Sequence, residues 1–148
     1  MGKKWFIMVK RIPALWVGLI ASCSLFQEDT GRSETMTFNS ESIGTTGIAA
    51  VYYPEDYATD IPIIYLLNGF GADAFAWESG IDLAKQAYNR DIMFVSLSAE
   101  YNLYLNNPTH PNKNYEDYVL EVVTEVESYY DIEIGHERRA LCGISNGG

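Results

Sequence analysis

Two kinds of hydrophobic pattern divide the chain. Ile61 to Leu67 and Ile92 to Leu97 are predominantly apolar runs with β-branched residues, the second broken only by Ser96, the pattern of strands buried on both faces of a parallel sheet. Between them Trp77, Ile81, Ala84 and Tyr88 recur at helical spacing. After the second run Tyr115, Val119, Val122, Val126 and Tyr129 make one apolar stripe, with Glu116, Asp117, Glu121 and Glu127 mostly off it. That stripe predicts a helix over 115–129, which Asn114 and Asp117 are placed to cap. Arg139 to Gly143 reads as a last short strand. Ahead of all these, Glu34 to Asn39 and Gly47 to Tyr53 flank a Gly44-Thr45-Thr46-Gly47 turn and stop at Pro54, predicting an antiparallel hairpin that leads into the sheet. Strand-helix-strand-helix-strand predicts an α/β fold, a mostly parallel sheet with right-handed crossovers and helices on its faces.

The first residues follow a different logic. Lys3, Lys4, Lys10 and Arg11 form a basic cluster, and Ile12 to Ser22 is an apolar run of 11 residues, too short for a bilayer that needs about 20. Residues 1–22 read as a signal peptide. The run closes on Ile20-Ala21-Ser22-Cys23, which resembles a bacterial lipobox and makes Cys23 the expected site of lipidation. An ordinary secretory signal with an incidental cysteine is the alternative, but two acyl chains at Cys23 give stable membrane anchoring. Residues 23–33 lack periodicity and suit a tether; 34–148 is the folded domain. The expected location is extracytoplasmic, as a membrane lipoprotein.

Removing that segment changes the charge. Four of the 10 basic residues precede Cys23 and none of the 20 acidic ones does, leaving 6 against 20, a formal charge of −14. Such a surface disfavours nucleic acid. At 47% apolar and 14% aromatic the chain can build a core, and nothing in its residue pattern calls for a metal or a cofactor. Cys142, inside the last apolar run, is expected to be a buried free thiol.

Three segments carry candidate chemistry. Gly143-Ile144-Ser145-Asn146-Gly147 is a G-x-S-x-G match that follows a predicted strand and opens a turn, the context in which a strained, exposed serine becomes a nucleophile. Leu66-Leu67-Asn68-Gly69-Phe70-Gly71 ends the first buried strand, where free backbone N–H groups can hold an oxyanion. The expected donors are Phe70, preferred over Gly71, and Asn146. Ser98 to Pro111 is a long loop after a strand end with Tyr101 and Tyr104; there it either lines a substrate pocket or packs as an ordinary loop. His110 and His136 are the chain's two histidines and both precede Ser145, against the usual order of nucleophile, acid, histidine. Each reads as a surface loop residue.

Together these segments resemble the esterase family of α/β hydrolases that includes feruloyl and acetyl-xylan esterases, S-formylglutathione hydrolase, siderophore esterases and antigen 85-like mycolyltransferases. Val51-Tyr52-Tyr53-Pro54 is similar to its V-Y-L-P strand end, Ile64 to Gly71 to its Y-L-L-H-G-x-G oxyanion strand, Tyr118 to Tyr130 to its helix with paired aromatics, and Arg139 to Gly148 to its R-A-I-A-G-x-S-M-G-G elbow. Asn68 stands where the family has histidine. The resemblance implies a serine carboxylic-ester hydrolase, with a small-molecule or polysaccharide-linked ester as substrate. It also implies a chain cut after the elbow, since the family's acid and histidine match nothing here. On that reading the 148 residues alone are inactive and poorly folded. A non-catalytic, lipid-anchored binding module with a hydrolase-like fold, or an acyltransferase of the same family, are the alternatives.

Overall fold

The computed structural model describes residues 31–148. The signal segment, Cys23 and the tether up to residue 30 lie outside the described residues. Strand β1 (Arg32–Ser40) pairs antiparallel with β2 (Thr45–Tyr53), and β3 (Ile63–Leu67), β4 (Met93–Leu97) and β5 (Arg139–Gly143) run parallel to one another. The sheet order is β1-β2-β4-β3-β5, with β2 antiparallel to β4. The result is a mixed sheet: a parallel three-stranded half and the expected hairpin.

Two helices cover opposite faces, α1 (Leu83–Arg90) and α2 (Tyr115–Tyr129). The connectivity requires this. The chain steps one way from β3 to β4 and back past β3 to reach β5, and two right-handed crossovers in opposite directions leave their helices on opposite sides. Alternation along the strands supplies each face. Ile63, Tyr65, Leu67, Met93, Val95 and Leu97 pack under α2 with Val119, Val122 and Val126. Leu66, Phe94, Ala50 and Tyr52 pack under α1 with Leu83 and Ala87. Tyr118 ties α2 to the hairpin by accepting from the Ile48 N–H (3.1 Å) and donating to its carbonyl (3.2 Å), and burial pushes its phenol up to about 12.

Several boundaries differ from the sequence reading, each for a local reason. The hairpin turn is Glu41–Gly44, with Gly44 at φ +67°, so Thr45 and Thr46 are already in strand β2. Gly47 lies opposite Phe38, whose ring occupies the space a side chain would take. Strand β1 also takes in Arg32 and Ser33, given above to the tether, because Arg32 pairs with Tyr53 on the ladder and with the Glu55 carboxylate. The expected helix from Trp77 to Tyr88 is two pieces: a single 3₁₀ turn (Ala76–Ser79) ending at Gly80, then α1, whose start is capped by the Asp82 side chain accepting from the Lys85 N–H at 2.9 Å. In α2 the apolar stripe runs through Tyr118 and on to Tyr130, while Tyr129 is 59% exposed.

Asn114 occupies the N-cap position of α2, but its side chain donates to the Pro111 carbonyl. The cap comes instead from the preceding loop. The Asn106 side-chain oxygen accepts from the Asp117 N–H (3.1 Å) and its amide returns to the Asp117 carboxylate (2.9 Å). This reciprocal pair performs in space what a capping box performs within one helix.

Cys142 is a free thiol as expected, but an exposed one. Among the described residues β5 pairs only with β3 and no element covers its faces, so Leu141 is 64% exposed beside it.

Candidate active site

The carboxyl ends of β3 and β5 are adjacent because Leu67 and Gly143 are register partners. Each strand runs out into one of the sequence-identified segments. The Ile144 N–H donates to the Leu67 carbonyl (3.2 Å), binding the β5 elbow to the end of β3. Gly143 and Gly147 are required by contact: a Cβ at Gly143 would overlap the Gly147 carbonyl, and one at Gly147 would overlap the Leu67 carbonyl. The spacing in G-x-S-x-G is thus a packing demand of this turn.

Ser145, between them, has φ +56°. Left-handed backbone costs an L-residue with a Cβ roughly 1–2 kcal/mol. Among the described residues three other non-glycines share it: Asp91, Asp131 and Glu100. Asp91 caps the end of α1 and Asp131 follows the C-cap of α2, where such a conformation is common. Glu100 is the second residue of the Ala99–Asn102 turn in the loop after β4, closed by the Asn102 N–H on the Ala99 carbonyl. Among the described residues the Ser145 hydroxyl makes no hydrogen bond.

The loop after β3 has one anchored and one free amide. Gly71, at φ +75°, donates its N–H to the Glu100 carbonyl at 2.7 Å, and Ala72 donates to the Gly69 carbonyl at 3.1 Å. The Phe70 N–H finds no acceptor among the described residues, and neither does that of Asn146. Gly69 backs directly onto Ser145, its missing Cβ only 3.5 Å from the serine Cβ. Two unpaired backbone donors therefore flank one strained serine.

Buried polar groups hold this loop. Asn68 is 1% exposed, and its side-chain amide reaches the Asp73 carbonyl (2.8 Å), the Leu97 carbonyl (2.9 Å) and the Ser96 hydroxyl (3.1 Å). The Tyr104 hydroxyl accepts from the Ala99 N–H and is shared between the Asn68 and Leu97 carbonyls, all at 3.2 Å; burial raises its pKa. Its hydroxyl thus faces the scaffold. Tyr101 behaves differently: 73% exposed, its ring meets that of Phe70 edge to face at 5.6 Å. A cleft of about 470 Å³ opens beside Ser145, lined by Phe70, Trp77, Ala76, Ile144, Gly69 and Asn68. It is mainly apolar. The Trp77 indole N–H there is buried without a partner among the described residues.

Beneath the elbow Arg139 forms a bidentate pair with Glu127 at 2.5 Å on both nitrogens and donates to the Ile134 carbonyl. Tyr65 donates to the same carboxylate at 3.0 Å, and burial beside it raises the phenol's pKa. Helix α2 is in this way fixed to β3 and to β5 at once. Glu127 looks like a solvated residue in the sequence because it is off the apolar stripe. Only its distance from an arginine 12 positions later hints otherwise.

His110 and His136 are exposed and contact neither Ser145 nor its loop; the His136 side chain meets Glu137 at 3.6 Å. Among the described residues no three His, Cys, Asp or Glu side chains cluster as metal ligands. Glu100 and Asn102, both in the loop after β4, escaped the sequence reading. The Asn146 side-chain amide donates to the Asn102 carbonyl at 2.7 Å, a contact through backbone that no residue type announces.

No family model matches the chain. Solved structures do. A fluorophosphonate-binding serine hydrolase of Staphylococcus aureus aligns with TM-score 0.71 at 20% identity, over 79% of this chain and 48% of its own. An S-formylglutathione hydrolase of Agrobacterium tumefaciens aligns with TM-score 0.67 at 18% identity, over 82% and 52%. A ferulic acid esterase of Anaeromyces mucronatus aligns with TM-score 0.57 at 19% identity, over 82% and 52%. The fold of residues 31–148 is therefore the α/β-hydrolase fold, and the chain spans about half the length of the solved structures it matches.

Proposed function

We propose that residues 34–148 are the nucleophile-bearing part of a serine carboxylic-ester hydrolase, of the esterase family that its motifs resemble. The observation that carries the reading is the conformation of Ser145: φ +56° on a turn whose glycines are dictated by contact, packed against Gly69 of the loop that carries the unpaired Phe70 N–H. Local strain of this kind concentrates at functional sites.

In the proposed reaction the Ser145 Oγ bonds to the ester carbonyl carbon while its proton passes to a histidine base. The carbonyl oxygen becomes an oxyanion held by the Phe70 and Asn146 amides. Collapse expels the alcohol, which takes the proton back, and leaves an acyl-enzyme. Water then repeats the sequence and releases the acid. The base and its orienting carboxylate are assigned to residues outside the 148, since the exposed positions of His110 and His136 support neither as base. The mainly apolar cleft supports an acyl group of some size. Cys23, as lipidation site, would hold the enzyme at an extracytoplasmic membrane face, where acyl groups on polysaccharides are the favoured substrates.

The test is labelling and turnover in the full reading frame. A fluorophosphonate should label Ser145, and Ser145→Ala should abolish labelling and cut nitrophenyl-ester turnover by about 10⁶-fold, as members of a triad act as one unit. The 148-residue chain assayed alone should show background rates only. Labelling that survives Ser145→Ala would overturn the assignment.

A further inference from the structure

Resting on the reading of Ser145 as nucleophile, we infer that the side chain of Asn146 is a positioning group for the oxyanion hole. It sets, through the Asn102 carbonyl, the peptide plane whose N–H faces the substrate oxygen. The backbone N–H of Asn146 acts whatever its side chain is. The side chain is a separate device.

The peptide between Ser145 and Asn146 lies in a tight turn among the described residues. The turn is one 3₁₀ loop, Ser145–Gly147, closed by the Gly147 N–H on the Ile144 carbonyl (3.0 Å) and the Gly148 N–H on that of Ser145 (3.2 Å). The Asn146 amide supplies an external fixed point at 2.7 Å.

That fixed point is itself braced. The Asn102 N–H donates to the Ala99 carbonyl (2.8 Å), and its side-chain amide reaches the same carbonyl (3.3 Å) and the Tyr115 hydroxyl (3.1 Å). Tyr115 is 7% exposed and opens α2, so the brace ends in the core. The same few residues grip the other donor. The strained Glu100 presents its carbonyl to Gly71, which leaves Phe70 as the free amide of its loop. Tyr104 holds the Asn68 carbonyl and Tyr101 abuts the Phe70 ring. Residues 99–104 therefore touch the carriers of both proposed oxyanion donors and fix their separation.

The test uses the full reading frame with Asn146→Met, which keeps the backbone N–H but cannot donate from its side chain. Asn102→Ala and the double variant complete the set, with Asn146→Ala as a second probe should methionine crowd the turn. kcat and KM are read separately on a nitrophenyl ester, and affinity is measured for an arylboronic acid, whose tetrahedral adduct on the serine places an oxygen in the hole. Misplacing a reacting group by about 1 Å costs on the order of 10²-fold. Expected for Asn146→Met and Asn146→Ala is therefore a kcat lower by about 10- to 100-fold with KM within about twofold, and boronate affinity lower by the same factor as kcat. The double variant should be no worse than the poorer single, because both act through one brace. An unchanged kcat, a loss confined to KM, or additive effects would overturn the inference. Ser145→Ala in parallel separates the two levels. If it kills turnover while the Asn146 variants keep kcat and boronate affinity, only this inference fails; if it spares turnover, the esterase reading falls and this inference with it.

Discussion

Replacing Ser145 by glycine should stabilise the protein even as it removes the nucleophile. At φ +56° the serine pays for its Cβ, by roughly 1–2 kcal/mol for an L-residue in the left-handed region. Glycine removes that term and adds one of its own, since its extra freedom in the unfolded chain costs about 0.5–1 kcal/mol. The difference favours Ser145→Gly over Ser145→Ala by about 0.5–1 kcal/mol. Alanine is the proper reference because it keeps the Cβ and drops a hydroxyl that has no partner among the described residues. Ser128, exposed in α2, serves as the ordinary backbone; there glycine should be worse than alanine by about 1 kcal/mol. Urea unfolding of the full reading frame, with both pairs compared at constant m, reads the sign directly. A Ser145→Gly variant that loses to Ser145→Ala by as much as the pair at 128 would mean that the elbow holds no strain, and the main support for a nucleophile at this position would go with it.

Other consequences can be checked separately. Arg139→Met should destabilise by about 2 kcal/mol in urea, below the 3–5 of a fully buried pair because the arginine side chain is 31% exposed while Glu127 is 13% exposed; Arg139→Met with Glu127→Leu should recover much of it. Glu121 accepts from the Ser40 hydroxyl and the Glu41 and Ser42 N–H groups; burial alone would raise its pKa, but these donors outweigh it and hold the carboxyl low. Its folded pKa is thus below the unfolded one, so the stability lost in Glu121→Gln should be evident at neutral pH and vanish as pH falls through the lowered value; a gap that widened in acid would refute the assignment. Cys23→Ala should abolish labelled fatty-acid incorporation and move the protein from the membrane to the soluble fraction, and label that persisted would rule out the lipobox.

The parallel strands and α2 were legible because burial on both faces, or along one stripe, leaves a period that no other environment reproduces. Ile63 to Leu67 and Met93 to Leu97 are apolar but for Ser96, since each face meets a helix. The misread places are those where a local contact overrides the period. Trp77 fits a helical spacing with Ile81, yet Gly80 and the Asp82 cap divide them. Gly44 to Gly47 reads as a turn, yet the Phe38 ring lets Gly47 sit inside a strand. Cys142 was expected to be buried because its neighbours are apolar, a property of composition; burial also needs a covering element, and among the described residues β5 has none.

The candidate site divides along the same line. Its location follows from connectivity: once β3 lies between β4 and β5, the segments after Leu67 and Gly143 must meet, because parallel neighbours end at the same edge. Crevices at such reversals of strand order are where α/β proteins bind ligands, so the pairing of residues 68–71 with Ser145 was open to inference from pattern alone. The expected choice of Phe70 over Gly71 turns on backbone. Gly71 and Phe70 are neighbours in one loop, and what separates them is a carbonyl from Glu100 that engages the Gly71 N–H. The same holds for Asn102, whose contribution to the elbow is also a carbonyl. Both belong to the loop after β4, and every residue type has that group to offer. Sequence thus names the side chains a site needs, while backbone acceptors contributed from a third segment decide which of its amides stay free to act.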